Sequence, residues 1–391
     1  YLMNVKRICV VTSTRAEYGL LKHLIKEIKT SQDLDLHLVV SGTHLSPFHG
    51  NTVEEIIDDG FNIDAKLDLE LIDDSSQGIS RSASIALNGF VKIFQSIKPD
   101  IILLLGDRYE ILSAAIASMF AKIPIVHLYG GEITQGAIDE GIRHAITKLS
   151  HFHFVANDVY RNRVIQLGES PENVFNVGGL GVDAMTKIVL MSKAELEIEL
   201  NFLFKKKNLL ITFHPETISA QSSSDQLEEL LSALSELTNT KLIFTMPNAD
   251  PDSRAIYQTL NTFVATHPDA VLFNSLGQLK YFSCMALVDC VVGNSSSGIA
   301  ETPSFKIPTI NIGDRQKGRM KARSIIDCET KKNHITAAIQ KAYSSEFQKK
   351  LNATINPYGN GGAVNQIIDM LRKINLENAL KKSFYDINIK S

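Results

Sequence analysis

The sequence predicts an α/β protein made of two doubly wound domains, each built on a parallel sheet. Short apolar runs alternate with amphipathic segments of helix length, a pattern typical of βαβ units whose strands are buried on both faces. The chain has 391 residues, more than one hydrophobic core usually organises, and 44% of them are hydrophobic against 21% charged. Two domains are therefore expected.

The predicted strands fall into two groups along the chain. The first group is 8–11, 36–40, 101–105, 125–128 and 152–155, and the second is 209–213, 242–244, 271–273, 288–292 and 309–312. Between the groups, a GGLG run at 178–181 gives way to a charged helix predicted over 193–203 and to the basic run 205–207. We therefore predict a first domain at 3–177 and a second at 178–362, with the amphipathic segment 363–391 returning to the first.

Charge and targeting signals narrow the function classes. The formal net charge of −3 argues against a nucleic-acid binder but leaves room for a small anionic ligand. No apolar run approaches the roughly 20 residues that a membrane helix needs, and Lys6 and Arg7 lead into a strand instead of a signal peptide. We expect a cytoplasmic protein that begins natively at Met3, because Tyr1 and Leu2 precede that methionine.

The cysteines carry no signature of metal or redox chemistry. Cys9, Cys284, Cys290 and Cys328 lack C-x-x-C spacing and stand mostly in apolar runs. They are expected to be small buried hydrophobic residues.

Polar residues follow many of the predicted strands directly. Ligands of doubly wound sheets bind beyond the carboxyl ends of the strands, so these residues have a predicted location. They are TSTR at 12–15, SGTH at 41–44, GDR at 106–108 and GGE at 130–132, then HPET at 214–217, PNAD at 247–250, GNSSSG at 293–298 and GDR at 313–315. If these polar residues of the two sheets faced each other, they would form a cleft between the domains.

The densest group of ionisable residues brackets the predicted strand 125–128. Asp107 precedes this strand, Glu132 follows it, and Asp139 and Arg143 begin the next predicted helix. Carboxylates beside an arginine at one crevice are typical of acid–base chemistry. A plainer interpretation stays open, in which Asp107 is a helix N-cap and the residue pairs 139/143 and 140/144 are ordinary i,i+4 ion pairs.

The run 293–298 predicts a diphosphate site. It follows a strand and precedes a predicted helix, so its backbone N–H groups and the hydroxyls of Ser295 and Ser296 can point at an anion. Glu301, one turn later, can accept hydrogen bonds from ribose hydroxyls. The alternative is a plain strand-to-helix turn with a serine cap. The chain has no G-x-x-x-x-G-K-[S/T], no G-x-S-x-G and no full G-x-G-x-x-G, which argues against a P-loop hydrolase, a serine hydrolase and a nicotinamide dehydrogenase.

Two arginines and a histidine complete the predicted ligand set. Arg15 and Arg315 each follow a strand, one in each domain, and a guanidinium suits phosphate oxygens in geometry and in charge. His214 follows the predicted strand 209–213, where a phosphate or sugar contact is favoured over a core position.

Eight stretches, in chain order, form a recognisable series. They are TRAEY at 14–18, SGTHLS at 41–46, GDR at 106–108, H-x-x-GGE at 127–132, DE-x-IRHAITK at 139–148, FHP at 213–215, GNSS at 293–296 and GDRQ at 313–316. Together they resemble the hydrolysing UDP-N-acetylglucosamine 2-epimerases of sialic acid synthesis. The resemblance runs through nearly the whole chain. It implies two Rossmann-like domains in a glycosyltransferase-B-like fold with an interdomain cleft, the second domain holding most of the nucleotide and the first facing the sugar.

The resemblance also implies a reaction. UDP-N-acetylglucosamine and water would give N-acetylmannosamine and UDP by anti elimination to 2-acetamidoglucal, followed by addition of water. No cofactor or metal is implied, and the family predicts a homodimer or homotetramer. By motif, the candidate catalytic residues are Asp107, Glu132, Asp139 and Arg143, and the candidate substrate ligands are Arg15, Arg108, His214, Asn248, Ser295, Ser296, Glu301 and Arg315.

One position departs from the family pattern. Many relatives carry a catalytic glutamate in H-x-E-(A/G)-G, and here that position is Tyr129. Either Glu132 takes over its role, or Asp107 and Asp139 act alone. Other open alternatives are a hydrolysing 2-epimerase of UDP-N,N'-diacetylbacillosamine or of GDP-N-acetylglucosamine for legionaminic acid, a glycosyltransferase on the same scaffold, and a nucleotide-sugar sensor without turnover.

Overall fold

The computed structural model describes residues 5–134, 137–214, 222–246 and 253–387. The chain divides into two compact units. Unit 1 contains Tyr1–Glu132, Asp139–Ala184 and Gly361–Ser391, and unit 2 contains Ile133–Ile138 and Met185–Asn360. The expected start at Met3 and the candidate ligand Asn248 lie outside the described residues. The cleft between the domains stays a prediction.

Both units are built on parallel strands. The strands are β1 Lys6–Thr12, β2 Leu34–Ser41, β3 Ala65–Leu67, β4 Ile101–Leu105, β5 Ile125–Leu128, β6 Phe152–Val155, β7 Val174–Asn176, β8 Lys207–Thr212, β9 Thr240–Thr245, β10 Ala270–Phe273, β11 Cys290–Gly293, β12 Thr309–Ile312 and β13 Ile325–Cys328. All ten predicted strands are present. The short strands β3, β7 and β13 were not predicted.

Helices connect these strands. They are α1 Arg15–Thr30, α2 Val53–Asp58, α3 Ser76–Ile97, α4 Tyr109–Phe120, α5 Asp139–Leu149, α6 Asp158–Gln166, α7 Leu180–Lys187, α8 Lys193–Leu200, α9 Ser223–Ser235, α10 Ser253–Thr266, α11 Gly277–Leu287, α12 Ser296–Ala300, α13 Lys332–Ala342, α14 Ser345–Leu351 and α15 Ala363–Lys373. Single 3-10 turns occur at Gly42–Leu45, Pro47–His49, Pro171–Asn173 and Thr302–Phe305.

Unit 1 carries a seven-stranded sheet in the order β3-β2-β1-β4-β5-β6-β7. Its central strands are buried on both faces because helices cover both sides, and every residue of β4 is buried. The carboxyl ends of β1, β4 and β5 therefore share one edge of the sheet, where polar residues can meet.

The helix α15 packs in the core of unit 1, beside α1. Asp183 caps its first turn by accepting hydrogen bonds from the backbone N–H groups of Gly362 (2.5 Å) and Val364 (3.1 Å). At its other end, the Lys6 ammonium donates to the carbonyls of Leu371 (2.9 Å) in the last turn and of the C-cap residue Ile374 (2.7 Å), where a positive charge is favourable. Both ends of this helix are thus fixed to unit 1.

Unit 2 carries a six-stranded sheet in the order β10-β9-β8-β11-β12-β13. Apolar clusters lie on both faces of this sheet as well. The loops after β8, β11 and β12 leave neighbouring strands at the same edge, and they carry the predicted nucleotide ligands of this unit.

Some features bear on function class. Among the residues that the structure describes, no helix combines the length and apolarity needed to cross a membrane. The same residues contain no cluster of three or more histidine, cysteine or acidic side chains that could bind a metal ion. Burial raises the pKa of all four cysteine thiols, which keeps them protonated.

Candidate active site

The buried guanidinium of Arg143 is the centre of the carboxylate cluster in unit 1. Arg143 lies on α5 with 1% of its surface exposed. Its Nη2 donates to Asp107 Oδ2, and its Nη1 donates to the backbone oxygen of Glu132 (3.0 Å) and to Glu140 Oε2 (3.2 Å). A guanidinium presents several donors in a fixed plane, so one side chain fixes the loops after β4 and β5 against α5.

The structure brings together three of the four candidate catalytic residues through these bonds: Asp107, Glu132 and Arg143. Glu132 is buried, with 2% of its surface exposed. Asp139 is the first residue of α5, one helical turn before Arg143. Asp107 is not the N-cap of α4, because Arg108 occupies that position. The 140/144 pair does exist, at 3.1 Å between Glu140 Oε1 and His144 Nε2.

His127, on β5, supports the same cluster through hydrogen bonds to the loop after β4 and to α5. It lies on β5, fully buried, with Nε2 2.8 Å from the Gly106 carbonyl oxygen and Nδ1 3.2 Å from Thr147 Oγ1 on α5. Burial lowers its pKa to about 3, although the bond to Gly106 acts in the opposite direction. The ring is therefore neutral at physiological pH, and it links the residue before Asp107 to the helix that carries Arg143.

Tyr129, at the position where many relatives carry a glutamate, has a structural role in this protein. Tyr129 has a left-handed backbone, with φ +67°, and its hydroxyl accepts a hydrogen bond from the Gly181 N–H (3.3 Å). Two residues later, Gly131 has φ +79°, and a Cβ there would overlap the Tyr160 carbonyl oxygen. The guanidinium of Arg163 also donates to the Gly131 carbonyl. The turn that delivers Glu132 is thus packed tightly against α6.

A second buried charged group lies beside the loops after β1 and β4. Arg108 pairs with the fully buried Glu110 through Nε and Nη2, both at 3.3 Å.

Glu17 completes a capping box on α1, in which its carboxylate accepts from the Ser13 N–H (2.8 Å) and the Thr14 N–H (3.2 Å). Burial raises the pKa of Glu17 to about 7, against the lowering effect of the Ser13 hydrogen bonds and of Arg108.

Arg15 is placed at the surface of unit 1. It is the first residue of α1, and its Nε donates to Glu55 Oε1 (2.8 Å) and Oε2 (3.0 Å). About a quarter of its side chain is exposed, at 25%. An ion pair this open is weak, so it does not lock the guanidinium in place.

In unit 2, three loops converge on Asn294. Its side chain pairs with the backbone of His214 after β8, while its backbone oxygen accepts from Arg315 Nη1 (3.3 Å) and Gln316 Nε2 (2.8 Å) after β12. His214 and Arg315 are buried, at 6% and 9% exposed. Two of the predicted nucleotide ligands therefore lie at one point of the sheet edge.

The remaining predicted ligands of this unit surround α12. Ser295 is its N-cap, with its hydroxyl accepting from the Ser297 N–H (3.4 Å), and Ser296 is its first residue. Glu301 is its C-cap and is 7% exposed. The serine-cap interpretation is therefore correct for Ser295, and it is compatible with an anion site.

Sequence reasoning missed four residues that the structure places in these clusters: His127 as a brace, Glu110, Asn294 and Gln316. His127 and Asn294 stand inside motifs that were noticed, but their roles depend on partners 20 to 80 residues away in sequence. Glu110 lies two residues after the GDR motif at 106–108, and Gln316 is the last residue of the GDRQ motif at 313–316.

The chain matches a known protein family and several of its members. The sequence model described as UDP-N-acetylglucosamine 2-epimerase matches residues 26–372. A GDP/UDP-N,N'-diacetylbacillosamine 2-epimerase (hydrolyzing) of Campylobacter jejuni is 42% identical over 98% of this chain and 100% of the relative. The polysialic acid biosynthesis protein P7 of Escherichia coli is 40% identical over 98% of each chain. A UDP-N,N'-diacetylbacillosamine 2-epimerase (hydrolyzing) of Legionella pneumophila is 35% identical over 96% of this chain and 98% of the relative.

Solved structures share the fold. A Staphylococcus aureus MnaA–UDP co-structure has a TM-score of 0.79 and 19% identity, and it covers 98% of this chain and 100% of its own. At this identity the likeness concerns architecture alone. It supports the predicted glycosyltransferase-B-like pair of parallel-sheet domains.

Proposed function

The chain belongs to the UDP-N-acetylglucosamine 2-epimerase family, and on that premise we propose that it is a hydrolysing 2-epimerase of a nucleotide-linked 2-acetamido sugar. Water would be the second substrate. The products would be the free 2-epimeric sugar and the nucleoside diphosphate. The hydrolysing relatives match this chain from end to end, which supports the proposal at the level of reaction type.

The position of Arg143 is the observation that best supports the proposed acid–base chemistry. It holds the Asp107 carboxylate and the Glu132 backbone at one buried guanidinium, on the helix that Asp139 begins. Proton removal next to an anomeric carbon needs a base that is fixed in direction, and return of the proton to the opposite face needs a second group. Asp107, which Arg143 holds, and Asp139, one turn before Arg143 on α5, are acidic residues on two different elements and fit this requirement.

In the proposed reaction, a carboxylate takes the proton from C2 while the C1–oxygen bond to the diphosphate breaks. The electron pair of the C2–H bond forms the C1–C2 double bond, and the diphosphate leaves with the electrons of the C1–O bond. Water then adds its oxygen to C1 and a proton reaches C2 on the opposite face, so that the configuration at C2 is inverted. We assign the acid and base roles to Asp107 and Asp139, with Glu132 as the third candidate and Arg143 orienting Asp107.

Unit 2 is proposed to bind the nucleotide. His214, Ser295, Ser296 and Arg315 would contact the diphosphate, and Glu301 the ribose, because hydroxyls, backbone N–H groups and a guanidinium suit these oxygens. Arg15 of unit 1 is proposed as a further phosphate ligand, since its pair with Glu55 is partly exposed. The buried ion pair of Arg108 with Glu110 favours a structural role for Arg108, in which it holds the loop after β4 in place. Its contact with substrate stays a prediction, as does that of Asn248.

The sugar is the open part of the proposal. The motif series predicted UDP-N-acetylglucosamine. The relatives favour a diacetylbacillosamine derivative instead, since two of them carry that substrate in their names, and one of these names also includes GDP. The matching family model, which is described as UDP-N-acetylglucosamine 2-epimerase, supports N-acetylglucosamine as the second candidate. We therefore put UDP-N,N'-diacetylbacillosamine first and UDP-N-acetylglucosamine second. The cytoplasmic location and the homodimer or homotetramer stay predictions.

A panel of nucleotide sugars in deuterated water tests the proposal. We expect one of UDP-N,N'-diacetylbacillosamine, its GDP analogue, UDP-N-acetylglucosamine and GDP-N-acetylglucosamine to give free diphosphate and a 2-epimeric sugar with deuterium at C2. A product with only protium at C2 would contradict C2–H elimination. Turnover only with an added sugar acceptor would indicate a glycosyltransferase, and tight binding of an intact nucleotide sugar would indicate a sensor.

A further inference from the structure

Asn294 lies at the centre of the predicted diphosphate site, although it was not itself predicted to bind the nucleotide. It follows β11 directly and is fully buried, at 0% exposed. Its Oδ1 accepts a hydrogen bond from the His214 N–H (2.6 Å), and its Nδ2 donates to the His214 carbonyl oxygen (2.8 Å). One amide side chain thus satisfies both backbone groups of the first residue in the HPET run.

The backbone of Asn294 connects the other two loops. Its N–H donates to the Thr212 carbonyl at the end of β8 (3.2 Å). Its carbonyl oxygen accepts from Gln316 Nε2 (2.8 Å) and from Arg315 Nη1 (3.3 Å) beyond β12. The ends of β8, β11 and β12 are therefore tied together at a single residue.

We infer that Asn294 is a positioning residue for the diphosphate, acting through His214 and Arg315 and not by contact with the ligand. A predicted anion ligand on a loop binds well only when its backbone is held within a few tenths of an ångström, and buried hydrogen bonds supply that constraint. Asn294 holds the backbone of one such ligand and accepts a bond from the guanidinium of another. The inference rests on the proposed function, because it takes unit 2 to be the nucleotide-binding unit.

A purely structural role is the rival interpretation, and the chain contains a matched control for it. Asn208, at the start of β8, is also buried, at 6% exposed. Its Oδ1 accepts from the Lys205 N–H (2.8 Å) and its Nδ2 donates to the Lys205 carbonyl (3.0 Å). The same pair of side-chain to backbone bonds is thus formed at the opposite end of the same strand, away from the predicted ligands.

The test compares Asn294→Ala with Asn208→Ala in the full-length protein. Each substitution removes one buried amide that makes two backbone bonds, so both are expected to lower the thermal midpoint by similar amounts. UDP and GDP binding is measured for each variant by calorimetry, and uridine serves as the probe without phosphate. We expect Asn294→Ala to weaken binding of the preferred diphosphate by about tenfold or more, and Asn208→Ala to leave it within about twofold.

Asn294→Ser is the second variant, for the case in which the alanine substitution prevents folding. It leaves room for a water molecule that can pair with the His214 N–H and carbonyl, so we expect it to fold and still to bind the diphosphate about fivefold more weakly. Uridine affinity is expected to change less than UDP affinity in either variant.

The outcomes separate this inference from the proposed function. If the wild-type protein binds neither UDP nor GDP, both are overturned. If it binds one of them, and the folded variants at 294 and 208 lose equal affinity or none, the positioning role alone is overturned. Turnover of the sugar by the wild type stays a separate readout of the proposed function.

Discussion

Replacing Arg143 with methionine removes the residue on which the proposed chemistry depends. Methionine keeps most of the apolar stem, so the change is mainly the loss of the guanidinium. That group donates to Asp107, to the Glu132 carbonyl and to Glu140 from a position only 1% exposed. Breaking a buried ion pair costs roughly 3–5 kcal/mol. The Asp107 and Glu140 side chains are 23% and 28% exposed, so water compensates in part and we expect a loss of about 3 kcal/mol in the free energy of unfolding.

The catalytic consequence is tested by a double-mutant cycle with Asp107→Asn. Loss of a positioned acid or base typically lowers turnover by about 10² to 10⁴-fold. If Arg143 acts by orienting Asp107, then Arg143→Met adds little to Asp107→Asn, and the coupling free energy is at least about 2 kcal/mol. Arg143→Lys is expected to be intermediate, because one ammonium cannot replace a planar guanidinium that serves three acceptors.

The assay is the initial rate of diphosphate release at saturating substrate, together with urea unfolding of each variant. Arg161→Met is the control. Arg161 donates to the carbonyls of Val174 (3.0 Å) and Pro171 (2.9 Å) in the same unit, so its loss should lower stability and leave turnover within about threefold. Rate losses that simply multiply in the Asp107/Arg143 double variant would refute the orienting role.

Three further predictions concern single residues. The pKa of Glu17 is about 7 in the folded protein against 4.5 in the unfolded chain, so the wild type is expected to lose about 3 kcal/mol relative to Glu17→Gln as the pH rises from 4.5 through 7, with the loss levelling off above the folded pKa; parallel urea-unfolding profiles of the two would contradict the buried-acid assignment. His127→Leu removes the neutral donor to the carbonyl after β4 and should lower turnover about tenfold, while His127→Gln should retain most activity and both should leave the acid limb of the pH–rate profile unchanged; a shifted limb would show that the ring titrates. Gly293→Ala, at φ +135°, would overlap the Thr212 carbonyl oxygen and should cost more than about 3 kcal/mol of unfolding free energy, against about 1 kcal/mol for Gly359→Ala at φ +96° in open space, and equal costs would contradict the close approach.

The fold was predictable because buried parallel strands appear in the sequence as short apolar runs. The three strands that escaped prediction lie at sheet edges, and two of them, β3 and β7, have only three residues, too few for a periodic pattern. The helix predicted over 193–203 ends at Leu200 because Asn201 adopts a left-handed C-cap, with φ +51°. The apolar residues after it continue the pattern, and the asparagine was the available signal for the end.

The candidate site was predictable only in part. Residue types and strand ends pointed to Asp107 and Arg143 separately, and along the sequence the local candidates for an ion pair were those spaced i,i+4. The contact that organises the site joins residues 36 positions apart, and that at Asn294 joins residues 80 apart. Such pairings depend on which strands are neighbours and on how deeply each side chain is buried. Neither can be read from a single sequence by local patterns.

The departure at Tyr129 gains a physical explanation from the structure. A residue with φ +67° whose hydroxyl accepts from the Gly181 N–H serves as a strut between the loop after β5 and the turn that begins α7. The next carboxylate along the loop, Glu132, is buried, and its backbone is bonded to the same guanidinium that holds Asp107. The backbone bond to Arg143 thus ties the next acidic residue of the loop to the arginine centre. Glu132 is therefore kept beside Asp107 and Asp139 as a candidate for the acid–base set, and its role stays a prediction.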